Sequence, residues 1–143
     1  MGFRTEVVFE AERERVFDYL TDARNRPEWQ ASLRGIRPVT SRTDGPAATW
    51  YDVTTVGARP LMRVTEWARP ARWTELGTWR GLEISLTLTF ADLGTEAPLT
   101  LVVAQTETHA PGWRRPLGWA LDRLGPRVAM RDLQRAAELL AAA

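Results

Sequence analysis

The strictest pattern in this chain is a nine-residue stretch in which apolar and polar side chains alternate without exception. The stretch runs Leu82, Glu83, Ile84, Ser85, Leu86, Thr87, Leu88, Thr89, Phe90. A period of two places one set of side chains on each face of an extended strand. We therefore predict a half-buried strand, which requires a second layer of structure against its apolar face.

Six further short runs favour strands, and turn residues separate them. The runs are Phe3–Glu10, Leu33–Thr40, Thr49–Val56, Leu61–Trp67, Arg72–Trp79 and Leu99–His109. Stretches rich in Gly and Pro at residues 43–46, 57–60, 68–71 and 92–98 predict the connecting turns. Short strands at this spacing indicate an antiparallel meander rather than alternating parallel strands and helices.

Helical spacing appears at three places. After Ala11, the side chains of Val16, Phe17 and Leu20 fall on one face of a predicted helix. Pro27 limits residues 25–29 to a short helical element or turn. A long C-terminal helix has one apolar face, on which we expect Leu117, Leu121, Leu124, Val128, Ala129, Leu133, Ala136 and Leu140. We expect this face to pack on the sheet, and Gly125-Pro126 to kink or break the helix.

Composition excludes several kinds of chemistry. All 19 basic residues are arginine, so no lysine is available as a Schiff-base or general-base group. Cysteine is absent, which excludes a disulfide framework and a thiolate nucleophile. His109 is the single histidine, so a zinc site with several imidazole ligands is excluded as well. The net charge of +1 predicts no general attraction to nucleic acid or to an anionic membrane.

Three groups of residues carry a resemblance to a known family. The first is Phe9-Glu10-Ala11, with Val16-Phe17, Leu20, Asp22 and Pro27-Glu28-Trp29; the others are Val64-Thr65-Glu66-Trp67 with Pro70 and Arg72, and residues 133–138. Together they resemble the START-like (SRPBCC, helix-grip) superfamily, and within it the polyketide cyclase/dehydrase and lipid-transport group. The resemblance spans essentially the whole chain, which we predict to be one START-like ligand-binding domain over residues 1–143.

The resemblance implies an α+β helix-grip fold. In it, a curved antiparallel sheet of about six to seven strands wraps a long C-terminal helix, and two short helices follow the first strand. It also implies a cavity between sheet and helix for a small hydrophobic or aromatic molecule. The favoured function is a cofactor-independent polyketide cyclase or dehydratase of secondary metabolism. A non-catalytic carrier or sensor of a hydrophobic ligand is the alternative, because the fold alone does not define chemistry.

Seven tryptophans in 143 residues are more than a small core needs, so some of them are candidates for a cavity wall. Trp79 shares a strand face with Gly77, which would either leave room for a ligand or mark a bend in the sheet. Trp113 follows Pro111-Gly112 and is a candidate lid. Trp29 and Trp67 are further candidate ligand contacts, although packing against the sheet is the favoured interpretation for Trp29.

The strand around Trp50 leaves two orientations open. Tyr51 faces away from Trp50 and Asp52, because successive side chains alternate. The alternation of Tyr51 with Val53 slightly favours Tyr51 inside, as a ligand-binding residue that holds a carbonyl group. The opposite orientation would place an acid beside an aromatic wall.

The last strand contains the candidate catalytic residues. Leu101 and Val103 share a face with Gln105, Glu107 and His109. If that face points inward, Glu107 and His109 form an acid/base pair whose pKa values burial would bring toward neutrality, and Gln105 becomes a ligand contact. If Thr106 and Thr108 point inward instead, the pair lies in solvent. The sequence leaves these two orientations about evenly balanced.

The remaining expectations are mostly negative. We expect no cofactor, no metal site, and neither nucleic acid nor membrane as a partner. The N-terminus lacks the apolar stretch of a signal peptide, so the expected location is cytoplasmic. A monomer or a homodimer is compatible with the sequence. The amphipathic C-terminal helix could bind a membrane surface if isolated, but packing on the sheet is the better explanation of its apolar face.

Overall fold

A computed structural model describes residues 2–94 and 96–143, apart from the side chains of residues 119, 121 and 122. Seven antiparallel strands form one sheet in the order β1-β7-β6-β5-β4-β3-β2. Their bounds are β1 Gly2–Phe9, β2 Leu33–Pro38, β3 Thr49–Thr54, β4 Leu61–Ala68, β5 Arg72–Trp79, β6 Leu82–Asp92 and β7 Thr100–His109. All seven predicted strands are present, and their ends differ from the predicted ones by no more than two residues.

Tight turns and one long-range pairing define the strand order. Strands β2 to β7 pair with their neighbours along the chain, whereas β1 pairs with β7, in a register that places Val7 opposite Val102. The β5–β6 connection is a two-residue turn of Arg80 and Gly81, with φ of 48° and 82°. Both residues are in the left-handed region, which is the geometry that matches the twist of a β-hairpin.

Three α-helices accompany the sheet: α1 Arg13–Thr21, α2 Arg26–Trp29 and α3 Arg115–Ala142. A 3₁₀ turn at Ala23–Asn25 joins α1 to α2, and the Asp22 carboxylate caps it by accepting the N–H of Arg24. The same carboxylate accepts the Thr43 hydroxyl at 2.6 Å, which fixes the loop before β3 against this turn. These local bonds fix the 3₁₀ turn, from which α2 continues.

The hydrophobic core lies on one face of the sheet, here called the inner face. The ring of Phe17 on α1 lies 5.0 Å from that of Trp67 on β4 and 5.0 Å from that of Phe90 on β6, measured between centroids. The Trp67 contact is edge-to-face, an arrangement that aromatic quadrupoles favour. The buried core also contains Phe9, Val16, Leu20, Trp29, Trp50, Trp73, Leu88, Val102, Leu133, Ala136 and Leu140.

Helix α3 differs from its predicted form in two respects. It continues through Gly125-Pro126, so of the predicted kink or break, the break does not occur. At Gly125 the Phe3 ring of β1 approaches so closely that a Cβ atom at residue 125 would overlap it, which explains the glycine. Among the described side chains of the predicted apolar face, Leu133 and Leu140 lie in the core, whereas Leu117, Leu124 and Val128 are exposed. The side chain of Leu121 lies outside the described residues.

The sheet, the two short helices after β1 and the long C-terminal helix form an α+β helix-grip fold, as the sequence predicts. None of the helices in the described part of the chain has the length and apolar character needed to span a membrane.

Candidate functional site

A buried group of charged side chains lies between the sheet and the helices. Arg26 of α2 donates two hydrogen bonds to Glu75 of β5, from Nη1 to Oε2 at 2.6 Å and from Nη2 to Oε1 at 3.1 Å. Its Nη2 also lies 3.5 Å from Oδ2 of Asp52 on β3. All three side chains are almost completely buried. With Asp132 of α3, described below, we call this group the Arg26 cluster.

The aromatic neighbours of Asp52 and Arg26 hold the cluster in place. The indole Nε1 of Trp50 donates to Oδ1 of Asp52 at 2.9 Å. The two residues are two positions apart on β3, so their side chains lie on the same face of the sheet. The Arg26 guanidinium lies 5.5 Å from the centre of the Trp50 ring, within the range of a cation–π interaction. Trp50 therefore contacts both charged groups: its N–H donates to the Asp52 carboxylate, and its ring lies near the Arg26 guanidinium.

The third acid of the cluster, Asp132, connects α3 to the loop that follows α2. Its Oδ1 accepts the backbone N–H of Ala31 at 3.3 Å. Burial raises the pKa of Asp132, while the Ala31 N–H and the charge of Arg26 act in the opposite direction. The cluster thus links the sheet, α2 and α3 through polar contacts.

The Arg26 cluster contains three carboxyl groups and one guanidinium, and the surroundings of Glu75 shift its pKa. Desolvation raises the pKa of Glu75 from 4.5 to about 7, because the attraction of Arg26 only partly offsets the burial and because Asp52 adds a second negative charge. The pKa of Arg26 is raised despite its burial, since Glu75 and Asp52 stabilise its positive charge. Near neutral pH, Glu75 therefore exchanges a proton while Arg26 stays charged.

Three buried side chains each have an N–H group for which the described part of the structure provides no acceptor. The buried Nε of Arg26 and the indole Nε1 atoms of Trp29 and Trp73 make no hydrogen bond within the described residues. Buried donors of this kind are uncommon in folded proteins, because each loses its bond to water without a replacement. Trp29 and Trp73 belong to the buried core of the inner face.

Packing on the inner face becomes looser toward the β5–β6 turn. Trp73 and Leu88 are fully buried at one end, whereas Trp79 and Ile84 at the other end are only partly covered. Between them, the Met62 side chain lies over Gly77, so that a Cβ at residue 77 would come within 2.8 Å of its sulfur. The room that the sequence predicts at Gly77 is thus occupied by a flexible thioether.

Arginine and tryptophan side chains form the rim at this looser end. The guanidinium groups of Arg80 and Arg114 lie 5.0 and 5.2 Å from the centre of the Trp79 ring. Arg114 also lies 4.3 Å from the ring of Trp113, which is 71% exposed. Trp113 is therefore on the surface at the rim, and the predicted inward contact of a lid is not made in this conformation.

The predicted catalytic pair is on the outer face of the sheet. Thr106 and Thr108 of β7 are buried, so Gln105, Glu107 and His109 point away from the core. The orientation that an enclosed acid/base pair required is wrong, because the buried positions of β7 are Thr100, Val102, Ala104, Thr106 and Thr108. The catalytic role of Glu107 and His109 stays a prediction without the burial on which it depended.

These outer residues line an open hollow of about 750 Å³ that extends from β1 to β5. Arg4, Leu76, Glu83 and Ser85 share it with Gln105, Glu107 and His109. In the described part of the chain, no three histidine or acidic side chains come together as a metal-binding group. The hollow combines charged groups with free access to water.

The other predicted site residues divide between core and surface. Tyr51 is exposed on the outer face, so its predicted inward orientation is wrong, and Trp50 and Asp52 are the buried residues of β3. Trp29 is buried, as its packing interpretation predicts, and Trp67 is half-buried against Phe17.

The site residues predicted from the sequence do not include Arg26, Glu75 or Asp132. A signal for Glu75 was available, since a carboxylate shares one strand face with Trp73 and Trp79 and therefore needs a buried partner. Arg26 gave no comparable signal, because a four-residue helix has no periodicity from which to predict a buried position.

Comparisons with known proteins support the fold and leave the family open. No protein-family model matches the chain, and no curated protein matches it either. Many solved structures do match. The protein XoxI from Bacillus cereus is 10% identical, with a TM-score of 0.72, and the match covers 98% of this chain and 95% of that one. A conserved protein from Geobacillus kaustophilus is 8% identical, with a TM-score of 0.74, over 99% and 96% of the two chains.

A third matching structure has a named biosynthetic context. It is the di-domain aromatase/cyclase BexL from the BE-7585A biosynthetic pathway, which is 16% identical with a TM-score of 0.75. The match covers 96% of this chain and 45% of BexL. At such identities the similarity establishes a shared fold and no shared activity.

Proposed function

We propose that the chain binds a small, apolar and polyoxygenated molecule, such as an aromatic polyketide, between the inner face of the sheet and α3. The observation that carries this proposal is the set of buried N–H donors without acceptors on Arg26, Trp29 and Trp73. Carbonyl and phenol oxygens of a ligand would supply the missing acceptors, and the surrounding rings would contact its apolar surface.

Access from the looser end is consistent with this proposal. The partly covered side chains of Trp79, Ile84 and Leu86 would contact the ligand first. Movement of the unbranched Met62 side chain would open the space above Gly77, beside Glu75. The ligand would then extend from the rim toward the Arg26 cluster.

Within this proposal, cyclase-like chemistry would use Glu75 rather than the outer pair. A carboxyl group with a pKa of about 7 can both accept and donate a proton near neutral pH. Arg26, which stays charged, would stabilise an enolate oxygen formed when Glu75 removes a proton next to a carbonyl group. Folding a flexible chain within a shaped cavity would provide the remaining assistance. The structural similarity to an aromatase/cyclase supports this choice of reaction.

A non-catalytic carrier is the second candidate, and one observation favours it. Glu75 is held by two hydrogen bonds to Arg26, and this arrangement serves binding and stability as well as it serves proton transfer. A carrier would release its ligand chemically unchanged.

Calorimetric titration with hydroxylated naphthalenes and anthraquinones tests the binding proposal. We expect Trp79→Ala to weaken the binding of such probes about tenfold or more, since it removes an aromatic contact on the inner face. Tyr51→Ala is the matched control, because it removes an aromatic ring from the outer face. Equal losses from both variants, or a loss only with Tyr51→Ala, would contradict binding on the inner face.

Turnover of a linear poly-β-ketone analogue separates the enzyme from the carrier. For an enzyme, Glu75→Gln should abolish product formation while the affinity for the probes changes little, because the amide keeps its shape but cannot exchange the proton. Glu107→Gln is the control on the outer face. If the unmodified protein binds the probes and converts no analogue, the carrier is the better description.

A further inference from the structure

The 3₁₀ turn Gly112–Arg114 and the first half of α3 carry four large apolar side chains that are exposed to solvent. Trp113 is 71% exposed, Leu117 37%, Leu124 60% and Val128 49%. Four of the nine exposed large hydrophobic side chains of the described residues therefore lie within 16 consecutive positions. We call these four residues the apolar stripe.

Helix geometry separates the stripe from the buried side of α3. The buried side is marked by Asp132, Leu133, Ala136 and Leu140. With about 100° of rotation per residue, the stripe is turned by roughly 100° from that direction. Leu117, Leu124 and Val128 recur at intervals of seven and four residues, so they fall on a single line along the helix. The stripe is therefore a separate face of α3 and not a loosely packed part of the core.

Positive charge is concentrated around this stripe. Residues 113–131 contain five arginines and one aspartate, a net charge of +4, although the whole chain carries only +1. The remainder of the chain is therefore net acidic. Arg115, Arg127 and Arg131 are exposed, and Arg114 lies between Trp113 and Trp79 at the rim. With about 100° of rotation per residue, Arg127 and Arg131 lie beside the stripe, whereas Arg115 is on the opposite side of the helix. An apolar line with arginine along one side is typical of helices that lie in the surface of an anionic membrane.

We propose that the apolar stripe and its arginines dock this protein onto an anionic lipid surface, with the first half of α3 lying in the plane of the headgroups. Leucine and valine side chains would enter the acyl boundary, and Trp113 would lie at headgroup depth. The guanidinium groups would bind lipid phosphates, which they can do through two hydrogen bonds each. This proposal depends on the surface of α3 alone and does not require the ligand proposed above.

Charge also decides against the other partners that an apolar stripe could have. A symmetric contact between the stripes of two copies would bring two surfaces of +4 together, and like charges at an interface oppose association. Nucleic acid would satisfy the arginines but would leave the leucine and valine side chains in water. An anionic bilayer provides an acceptor for the charges and an apolar phase for the stripe at the same time.

Co-sedimentation of the full chain with vesicles tests the proposal directly. Vesicles of phosphatidylcholine alone are compared with vesicles that also contain phosphatidylglycerol, and we expect binding only to the latter. Raising the salt from about 0.1 M to 1 M shortens the Debye length from about 10 Å to about 3 Å, so the bound fraction should fall. Each arginine near the surface contributes about a fivefold change in partitioning.

Two variants and one control locate the contact. Leu124→Glu places a negative charge within the stripe and should abolish binding. Arg127→Glu removes one positive charge and adds one negative charge, so it should lower the partition coefficient more than tenfold. Val56→Glu is the control, because Val56 is 86% exposed in the β3–β4 connection, away from α3. Circular dichroism of each variant verifies that the fold is retained.

The outcomes separate lipid from the other partners. Absence of binding to anionic vesicles at low salt overturns the proposal, as does equal loss of binding in the Val56→Glu control. A dimer in sedimentation equilibrium that Leu124→Glu converts to a monomer would instead assign the stripe to self-association. Retention of anionic binding in Leu124→Glu with loss in Arg127→Glu would reduce the interaction to charge alone and overturn the role of the stripe.

Discussion

The two faces of the sheet hold similar functional groups in opposite surroundings. On the inner face, Glu75 lies beside Arg26 without access to water. On the outer face, Glu107 and His109 line an open hollow. Both sets contain a carboxyl group beside a nitrogen-containing side chain, and on the inner face burial raises the pKa of Glu75 to about 7. The comparison teaches that the surroundings of a side chain, more than its identity, define where chemistry is favourable here.

Loss of the central arginine should produce the largest difference between the faces. Arg26→Met leaves Glu75 and Asp52 buried without a counter-charge, and we expect unfolding to become easier by about 3–5 kcal/mol. Arg69→Met removes an exposed bidentate pair with Asp18 and should cost much less, because solvent screens an ion pair at the surface. Urea denaturation measures both free energies.

A variant that does not fold at all would still be informative when combined with a second substitution. Arg26→Met with Glu75→Leu replaces the closest buried pair by apolar groups and should recover part of the lost stability, since Asp52 alone then lacks its counter-charge. Similar costs for Arg26→Met and Arg69→Met would show that the inner cluster has no special energetic role.

Removal of one indole N–H should have the next largest effect. Trp50→Phe takes away the hydrogen bond to Asp52, and a bond to a charged group contributes about 1.5–3 kcal/mol. Trp113→Phe changes an exposed ring and should stay within about 0.5 kcal/mol. The two thermal or urea transitions can be compared directly, and a smaller loss for Trp50→Phe than for Trp113→Phe would contradict the assigned role of the indole.

The pH dependence of stability should differ between an inner and an outer glutamate. Because the pKa of Glu75 is raised from 4.5 to about 7, the native state binds this proton more tightly than the unfolded state. Its contribution is fully present below about pH 4.5 and is lost as the pH rises to 7, at up to about 1.4 kcal/mol per pH unit. Glu75→Gln should remove this component, measured as the free energy of unfolding at each pH.

Glu66 provides the opposite sign for the same measurement. Hydrogen bonds from Arg72 and Thr74 lower the pKa of this exposed carboxyl, so its contribution appears above the ordinary pKa and is lost as the pH falls. Glu66→Gln should therefore leave the slope between pH 5 and pH 7 almost unchanged. Equal slopes in the protein and in Glu75→Gln would contradict the raised pKa of Glu75.

The smallest effects are expected on the outer face. Glu107→Gln and His109→Ala should each change the free energy of unfolding by no more than about 0.5 kcal/mol, because both side chains are exposed on the outer face and point away from the core. Heat denaturation of the two variants measures this. A loss comparable with that of Trp50→Phe would show that the outer hollow contains a coupling which exposure alone does not indicate.

The sequence predicted the elements well and the orientation of the site poorly. Alternation in β6 and the turn residues predicted all seven strands, because strand periodicity and turn chemistry are local properties. Alternation also showed that the side chains of Tyr51 and Trp50 point to opposite faces of the sheet, as do those of Thr106 and Glu107. It could not show which set is buried, since a period of two fits either face when both contain apolar residues.

Burial of the charged residues required contacts between distant parts of the chain. Arg26 and Glu75 are 49 positions apart, and Asp132 comes from a third region. No local pattern describes such a cluster, because its members are stable inside only when all are present. The exposed apolar stripe of α3 has a similar origin, since the packing of Gly125 on Phe3 selects which side of the helix meets the sheet.

By itself the sequence determined the number and order of the strands, the long C-terminal helix, and the absence of lysine and cysteine chemistry. Only the tertiary structure decided which face of β3 and β7 lies inside and where the buried charges meet. The physical reason is that secondary structure follows from neighbouring residues, whereas burial and the resulting pKa of Glu75 depend on the whole surrounding shell.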